Sequence, residues 1–328
     1  MREMDNVLFR GYMFDRIYER DGYRVYRMKN ETGWGEMETM RVAPGIQIVY
    51  SHLYMATCYQ KMEGAPDCMS INHCRKGCYE FDMRGGSTGI LGEGDMAIND
   101  FHNQQVTDSR IPLHRYEGIT LGFELAAAQE SLKRFAPDVE IDLMAFTARF
   151  CGRNDPFLMR SRPELEHIFD ELYEVDDRIR RPYTMLKVLE LLLFLSITEA
   201  CSPLPRFSPE VVRQTKEVYA HLVRNPMEKH TIEQLCRRFH LSDTNLRSCF
   251  RALYGQPLAT FARAERLKRA AEMLIECPEQ SIGEIAALAG YQNQSKFASA
   301  FRARFGQSPL HYRQRLSDNL EPKYADGE

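Results

Sequence analysis

No apolar run in this 328-residue chain is long enough to cross a bilayer. The most apolar stretch, Val188–Ile197, is interrupted by Glu190, and a spanning helix needs about 20 apolar residues. No secretory leader is expected, because residues 1–20 are charged throughout. The nine cysteines are odd in number and scattered, which argues against a disulfide framework. Familiar catalytic signatures are absent too: no Gly-x-Ser-x-Gly nucleophile elbow, no Walker loop and no HExxH helix. These absences point away from a helical membrane protein, a disulfide-stapled secreted scaffold and the commonest motif-bearing hydrolases. The expectation is a cytoplasmic chain that is not an enzyme, needs no cofactor and has no membrane partner.

What is present is an uneven distribution of charge. The net charge is −3, but residues 207–316 hold 17 Lys/Arg against 10 Asp/Glu, whereas residues 1–206 hold 25 against 32. A basic segment joined to an acidic one suits a polyanion-binding module attached to a separate one. A length of 328 residues makes two domains the prior.

The basic segment repeats itself. Ile232 and Leu235 correspond to Ile282 and Ile285, 50 residues on; Phe250, Tyr254, Gly255 and Phe261 correspond to Phe301, Phe305, Gly306 and Tyr312, 51 residues on. An internal repeat means one supersecondary unit used twice. Thr231 with Gln234, and Ser281 with Glu284, have capping-box spacing and mark two helix starts. Each first helix is short and amphipathic. The turn falls at His240-Leu241-Ser242 and at Gly290-Tyr291-Gln292, and it requires a left-handed residue that Gly290 supplies more easily than His240. Each second helix buries Leu246, Phe250 and Leu253, or Phe297, Phe301 and Phe305. Its opposite face carries Thr244, Asn245, Arg247, Ser248 and Arg251 in the first copy. In the second copy that face carries Gln294, Ser295, Lys296, Ser299 and Arg302. Hydroxyl, amide and cationic side chains of this kind bond to base edges and phosphates. Residues 258–276 read as one helix that Pro278 ends. At about 28 Å, it holds two recognition helices apart by roughly the 34 Å between successive major grooves.

Arg266-Leu267-Lys268-Arg269-Ala270, Met273-Leu274, Ser281-Ile282, Glu284-Ile285-Ala286, Gly290-Tyr291, Ser295, Phe297, Phe301, Phe305-Gly306, Ser308-Pro309 and Tyr312-Arg313 form a long ordered motif. With these residues, the segment from about 208 to 316 resembles the DNA-binding domain of the AraC/XylS family of bacterial transcription regulators. The resemblance covers about a third of the chain. Pro257 stands where a serine is more usual, and Ala298 stands where the first copy has Arg247, so the two copies are expected to read bases unequally.

Residues 1–125 read as short strands over 23–28, 46–56, 69–73, 79–83, 89–91, 96–99 and 118–125, separated by turns at Arg75-Lys76-Gly77, Arg84-Gly85-Gly86 and Gly92-Glu93-Gly94-Asp95. Many short strands with glycine-rich turns suggest a sandwich or barrel. The 92–95 turn followed by Met96-Ala97-Ile98 resembles the turn-strand of cupin-like barrels, which commonly serve as sensing domains in the AraC/XylS family. Helices are expected over 126–136, 163–180 and 183–200, with a break at Arg181-Pro182. Trp34, Tyr50, His52, Tyr54, His73, Tyr116 and Phe123 are candidates for an effector pocket, with core burial as the alternative. Met185, Leu186, Leu189, Leu192 and Leu193 are candidates for a dimer interface, again with burial as the alternative. His52, His73, Cys74 and Cys78 include possible ligand atoms, but a cupin-type metal site needs several His or Glu on paired strands, and no such cluster is evident. No metal is expected.

The fold class is therefore α+β: an N-terminal cupin-like β-barrel with dimerisation helices and a C-terminal all-α double helix-turn-helix domain. The boundaries are 1–200 (barrel 1–125, helices 126–200), a proline-rich linker at 201–209, a DNA-binding domain at 210–316 and an acidic tail at 317–328. The expected partners are double-stranded DNA, a small-molecule effector, a second copy of the chain, and RNA polymerase if transcription is raised. The alternatives are a cupin-type metal-dependent enzyme with a DNA-binding appendage, or an effector-independent DNA-binding regulator.

Overall fold

The computed structural model describes residues 14–58, 67–101, 106–151, 156–160, 163–198 and 205–320. The chain divides into two compact units, residues 1–210 with 252–255 and residues 211–251 with 256–328. The architecture is mixed, with one large antiparallel sheet in the first unit and helices alone in the second.

The first unit contains β1 (Arg16–Arg20), β2 (Tyr23–Asn30), β3 (Gly33–Ala43), β4 (Ile46–Tyr54), β5 (Cys68–Met83), β6 (Thr88–Gly92), β7 (Asp95–Asp100), β8 (Val106–Arg110), β9 (Tyr116–Glu124) and β10 (Phe157–Arg160). The ladder runs β1-β2-β3-β4-β9-β5-β7-β10, and β6 and β8 also pair with β5. The expected turn at Arg75-Lys76-Gly77 is instead a bulge inside β5, where the register with β9 shifts between Cys74 and Lys76. Gly77 permits it with φ +86°, and a Cβ there would lie 1.9 Å from the Arg115 carbonyl oxygen. A strand glycine marks a bulge or a close backbone approach as readily as a turn. The bulge lets β5 serve two ladders: its first part pairs with β9 and β7, its last part with β6 and β8.

Alternation along the strands sends side chains into two apolar layers. On one face Ile46, Ile48, Met69, Ile71 and Phe123 pack with helix side chains such as Phe169, Leu172, Val188 and Leu195. On the other, Val49, Leu53, Cys74, Phe81, Leu91 and Ile111 pack together. The helices of this unit are α1 (Leu125–Phe135), α2 (Leu143–Cys151), α3 (Pro163–Glu174) and α4 (Asp177–Ile197). The expected break at Arg181-Pro182 falls instead between α3 and α4. Asp176 caps α4 by accepting from the Arg178 amide at 2.9 Å, which satisfies an orphan donor. Pro182 lies inside α4 near its start. It removes one helical bond there, and burial of Met185, Val188, Leu191, Leu192 and Leu195 offsets that loss.

The second unit contains α5 (Pro209–Arg224), α6 (Ile232–Phe239), α7 (Asp243–Tyr254), α8 (Leu258–Glu276), α9 (Ile282–Leu288), α10 (Gln294–Phe305) and α11 (Pro309–Leu320). Two expected boundaries change. Residues 201–204 of the linker lie outside the described residues, but Phe207 is buried and forms a β-bridge with Thr88, and α5 begins at Pro209. That half of the linker is therefore docked rather than free. The acidic tail also starts later than expected, because α11 continues through Leu320, and residues 321–328 lie outside the described residues. No described helix is long and apolar enough to cross a membrane.

Candidate nucleic-acid interface

Both helix-turn-helix copies are built by the same local devices. In each capping box the hydroxyl accepts from the third backbone amide at 3.2 Å, and the Gln234 or Glu284 side chain reaches back to the cap amide at 2.8 or 2.7 Å. The turns match as well: the Leu241 amide donates to Cys236 O at 3.0 Å and the Tyr291 amide to Ala286 O at 2.9 Å. His240 adopts φ 54° and Gly290 φ 86°, so the first copy holds a non-glycine residue in the left-handed region, where it is disfavoured. Ser242 accepts from the Asn245 amide and Asn293 from the Ser295 amide, capping α7 and α10. These two caps were not singled out from sequence, although Ser or Asn directly before an amphipathic run signals them.

The buried side of α7 carries Leu246, Phe250 and Leu253, and that of α10 carries Phe297 and Phe301. Phe250 packs on Phe261 of α8 at 5.5 Å between ring centroids. Phe297, Phe301, Phe305 and Tyr312 form one aromatic cluster against Leu267, Ala270, Ala271 and Leu274 of α8. The long helix is thus a strut with one recognition helix anchored near each end. The unusual Pro257 has a local consequence. It occupies the N-cap of α8 without a side-chain cap bond, whereas its counterpart Ser308 accepts from the His311 amide at 3.3 Å. A missing cap costs about 1 kcal/mol.

Burial on the inner side fixes the outer side. Thr244, Asn245, Arg247 and Arg251 of α7 are exposed, and Ser248 is half-buried; Gln294, Ser295, Lys296, Ser299 and Arg302 of α10 are all exposed. Residues 244, 247, 248 and 251, like 295, 299 and 302, share one helix face. Their states differ. The Arg247 guanidinium pairs with Asp243 four residues earlier, and the Ser248 hydroxyl donates to Thr244 O at 2.7 Å. Among the described residues, Arg251, Lys296 and Arg302 form no ion pair. An exposed i,i+4 pair is worth only about 0.3–0.5 kcal/mol, so a phosphate can readily take Arg247 from Asp243. The Ser248 hydrogen is engaged within its own helix, which leaves its lone pairs facing outward.

The seven residues suggested for an effector pocket do not converge. Tyr50 and His52 line a cleft of about 290 Å3 together with Arg20, Tyr23, Arg75 and Tyr173. Trp34 and Tyr54 pack at 5.0 Å with their rings tilted by 38°, and Tyr54 also donates to Glu117. His73 is buried and lies flat on Phe169 at 4.1 Å; burial, with Arg75 nearby, pushes its pKa down to about 4. Phe123 belongs to the helix-side core and Tyr116 to the opposite one. His73 and Cys74, as neighbours on β5, point into opposite layers, so they cannot share a metal ion. Within the cleft the Arg75 guanidinium lies 4.3 Å from the centre of the Tyr173 ring. The buried Tyr173 hydroxyl has no hydrogen-bond partner.

The proposed dimer residues also divide. Met185 and Leu192 are buried within their own unit and Leu189 is half-buried, but Leu186 is 52% exposed and Leu193 42%. Ile179 and Ile197 extend that exposed stripe along α4.

Comparison with known proteins places the second unit. A family model described as a helix-turn-helix domain matches residues 235–315. The transcriptional activator RhaR of Pectobacterium carotovorum subsp. carotovorum is 40% identical over 84 residues, covering 26% of this chain and 29% of the relative. The transcriptional regulator ExsA of Pseudomonas aeruginosa is 30% identical over 134 residues, covering 39% and 46%. Among solved structures, the C-terminal domain of AraT, a response regulator from Geobacillus stearothermophilus, is 27% identical with a TM-score of 0.28, covering 37% of this chain and 94% of that one. The chain thus spans less than half the length of the curated relatives described here.

Proposed function

Residues 235–315 form an AraC-type helix-turn-helix domain, and from that premise we propose that the chain is a sequence-specific transcription regulator whose first unit senses a small molecule and pairs with a second copy. The observation that carries the DNA part is the matched pair of polar helix faces on α7 and α10, held by one strut of about 28 Å. One chain then reads two successive major grooves on one side of the duplex. Selection from a randomised duplex library is expected to enrich a two-part site with its halves about one helical turn apart. Enrichment of a single short element, or of nothing, refutes the bipartite reading.

Two features support the sensing and pairing part. The cleft beside Arg75 and Tyr173 offers a cation stacked on a ring and an unpartnered buried hydroxyl, the sparse polar anchoring typical of small-molecule sites. Such a cleft suits a sensing unit of the cupin-like barrel kind, with β5 bent through two ladders around a second core. The exposed stripe of Ile179, Leu186, Leu193 and Ile197 recurs mainly every seven residues, the spacing of a helix-pair seam. Native mass spectrometry of the gently purified full chain is expected to give a dimer mass with a stoichiometric small-molecule excess. Changing Leu186 and Leu193 together to glutamate should yield monomers with stability altered by no more than about 0.5 kcal/mol per site. A monomeric wild-type chain, or a dimer that survives both changes, removes α4 as the interface.

A further inference from the structure

We propose that His221, Glu228 and His230 form a binding site for a transition-metal dication, zinc foremost, which ties the end of α5 to the entry of α6. The three donor atoms come from different places. His221 lies in the last turn of α5, and Glu228 and His230 lie in the connection that leads to Thr231, the N-cap of α6. They converge on one point. His221 Nε2 is 2.9 Å from His230 Nε2 and 3.7 Å from Glu228 Oε2, and His230 Nε2 is 3.0 Å from the same carboxylate oxygen.

A tetrahedral zinc with bonds of about 2.0–2.1 Å has donor–donor edges of about 3.3 Å, and the three edges here bracket that value. Hydrogen bonding alone fits less well. His230 Nε2 sits against both a second imidazole nitrogen and a carboxylate. Whether its single hydrogen goes to Glu228 or to His221, or its lone pair accepts from His221, only a shared three-centre bond engages both neighbours. One divalent cation serves all three lone pairs at once.

The surroundings fit a three-ligand site. The His221 and His230 side chains are 8% and 14% exposed and that of Glu228 is 55% exposed, so two ligands are held in the protein and the third faces water, which leaves room for a fourth donor from solvent. Asn225 Nδ2 lies 3.1 Å from His221 Nδ1 and also donates to His221 O; an imidazole bound through Nε2 carries its hydrogen on Nδ1 and needs an acceptor there, which the Asn225 side-chain oxygen supplies once the amide is turned over. The Phe239 ring packs beside His221 at 5.7 Å. The Arg238 guanidinium opposes a cation here, with a nitrogen 3.5 Å from His221 Nε2; the residue is exposed, and its long side chain can swing into water. Two nitrogens and one oxygen suit zinc and its first-row neighbours better than magnesium or calcium. The bound ion fixes the residue directly before the first capping box, so its effect falls on the first helix-turn-helix copy.

The test uses the full chain, stripped with a chelator, desalted and titrated with zinc by calorimetry and with cobalt(II) by absorption. One zinc per chain is expected, together with a rise in the thermal midpoint. Cobalt should show the visible absorption of a four-coordinate nitrogen/oxygen site without a thiolate charge-transfer band, which separates this triad from the cysteines. His230→Gln should weaken zinc binding by on the order of a hundredfold and abolish the thermal shift. No stoichiometric uptake, a thiolate-type cobalt spectrum, or uptake unchanged in His230→Gln overturns the site. If that variant misfolds, the exposed Glu228→Gln decides instead: binding equal to wild type overturns the proposal, and a loss of about tenfold supports it. DNA binding by the stripped chain is a separate readout, so failure of the metal site leaves the regulator reading intact.

Discussion

Replacing Phe301 with alanine is expected to destabilise the second helix-turn-helix copy by about 3–5 kcal/mol. The ring is fully buried, and its centroid lies 5.6 Å from Phe297, 4.5 Å from Phe305 and 5.3 Å from Tyr312. Truncation removes transfer free energy and leaves a cavity that three rigid aromatic neighbours fill poorly. Small domains hold only about 5–15 kcal/mol in total, so a loss of this size brings α9 and α10 close to local unfolding. Hydrogen exchange on the full chain reads it directly: amides of α9 and α10 should lose most of their protection, and those of β4 and β9 should keep theirs. Phe301→Leu should cost about 1–1.5 kcal/mol. Unchanged protection over α9 and α10 in Phe301→Ala would falsify the view that this cluster holds the copy together. Phe250, the counterpart in the first copy, is also fully buried and packs on Phe261; its truncation should expose α6 and α7 instead.

The second unit was legible in sequence because its instructions are local. Capping boxes, the left-handed turn residue, the apolar periodicity and the Phe-Gly or Tyr-Gly endings all act within about one helix-turn-helix, so Leu258–Glu276 appears with the boundaries its pattern implies. The sheet is not local. Cys68 of β5 pairs with Glu124 of β9, and Phe157 of β10 pairs with Ile98 of β7. β3 escaped notice because the half-buried Glu36 and Glu38 on one face, and the exposed Arg41 that follows Met37 and Thr39 on the other, break the apolar alternation. In α4 the sequence shows apolar residues on more than one face, and only packing against the sheet decides that Met185 and Leu192 go inside while Leu186 and Leu193 stay out. Aromatic type did not locate the cleft either, since the same residue kinds fill both cores. The histidine–glutamate triad follows no helical or strand period; a helix end and a folded connection bring it together.

Arg251 and Arg302 stand 51 residues apart at the same position of the two copies, both exposed on the outer face of their helix. Each change to alanine is expected to cost about 1–3 kcal/mol of affinity for the selected site. The strut of about 28 Å between the copies puts the two arginines beyond the range at which mutational effects usually couple. The double change should therefore cost the sum, about 2–6 kcal/mol. Salt dependence then identifies the contact. An arginine on a phosphate releases a counterion, so its loss weakens all sequences alike and lowers the slope of log affinity against log salt by about one. An arginine on a guanine edge changes which base is preferred at one position and leaves that slope nearly unchanged. A double variant no weaker than the worse single variant means that only one recognition helix engages the duplex, and the two-groove reading fails even though each copy keeps its fold.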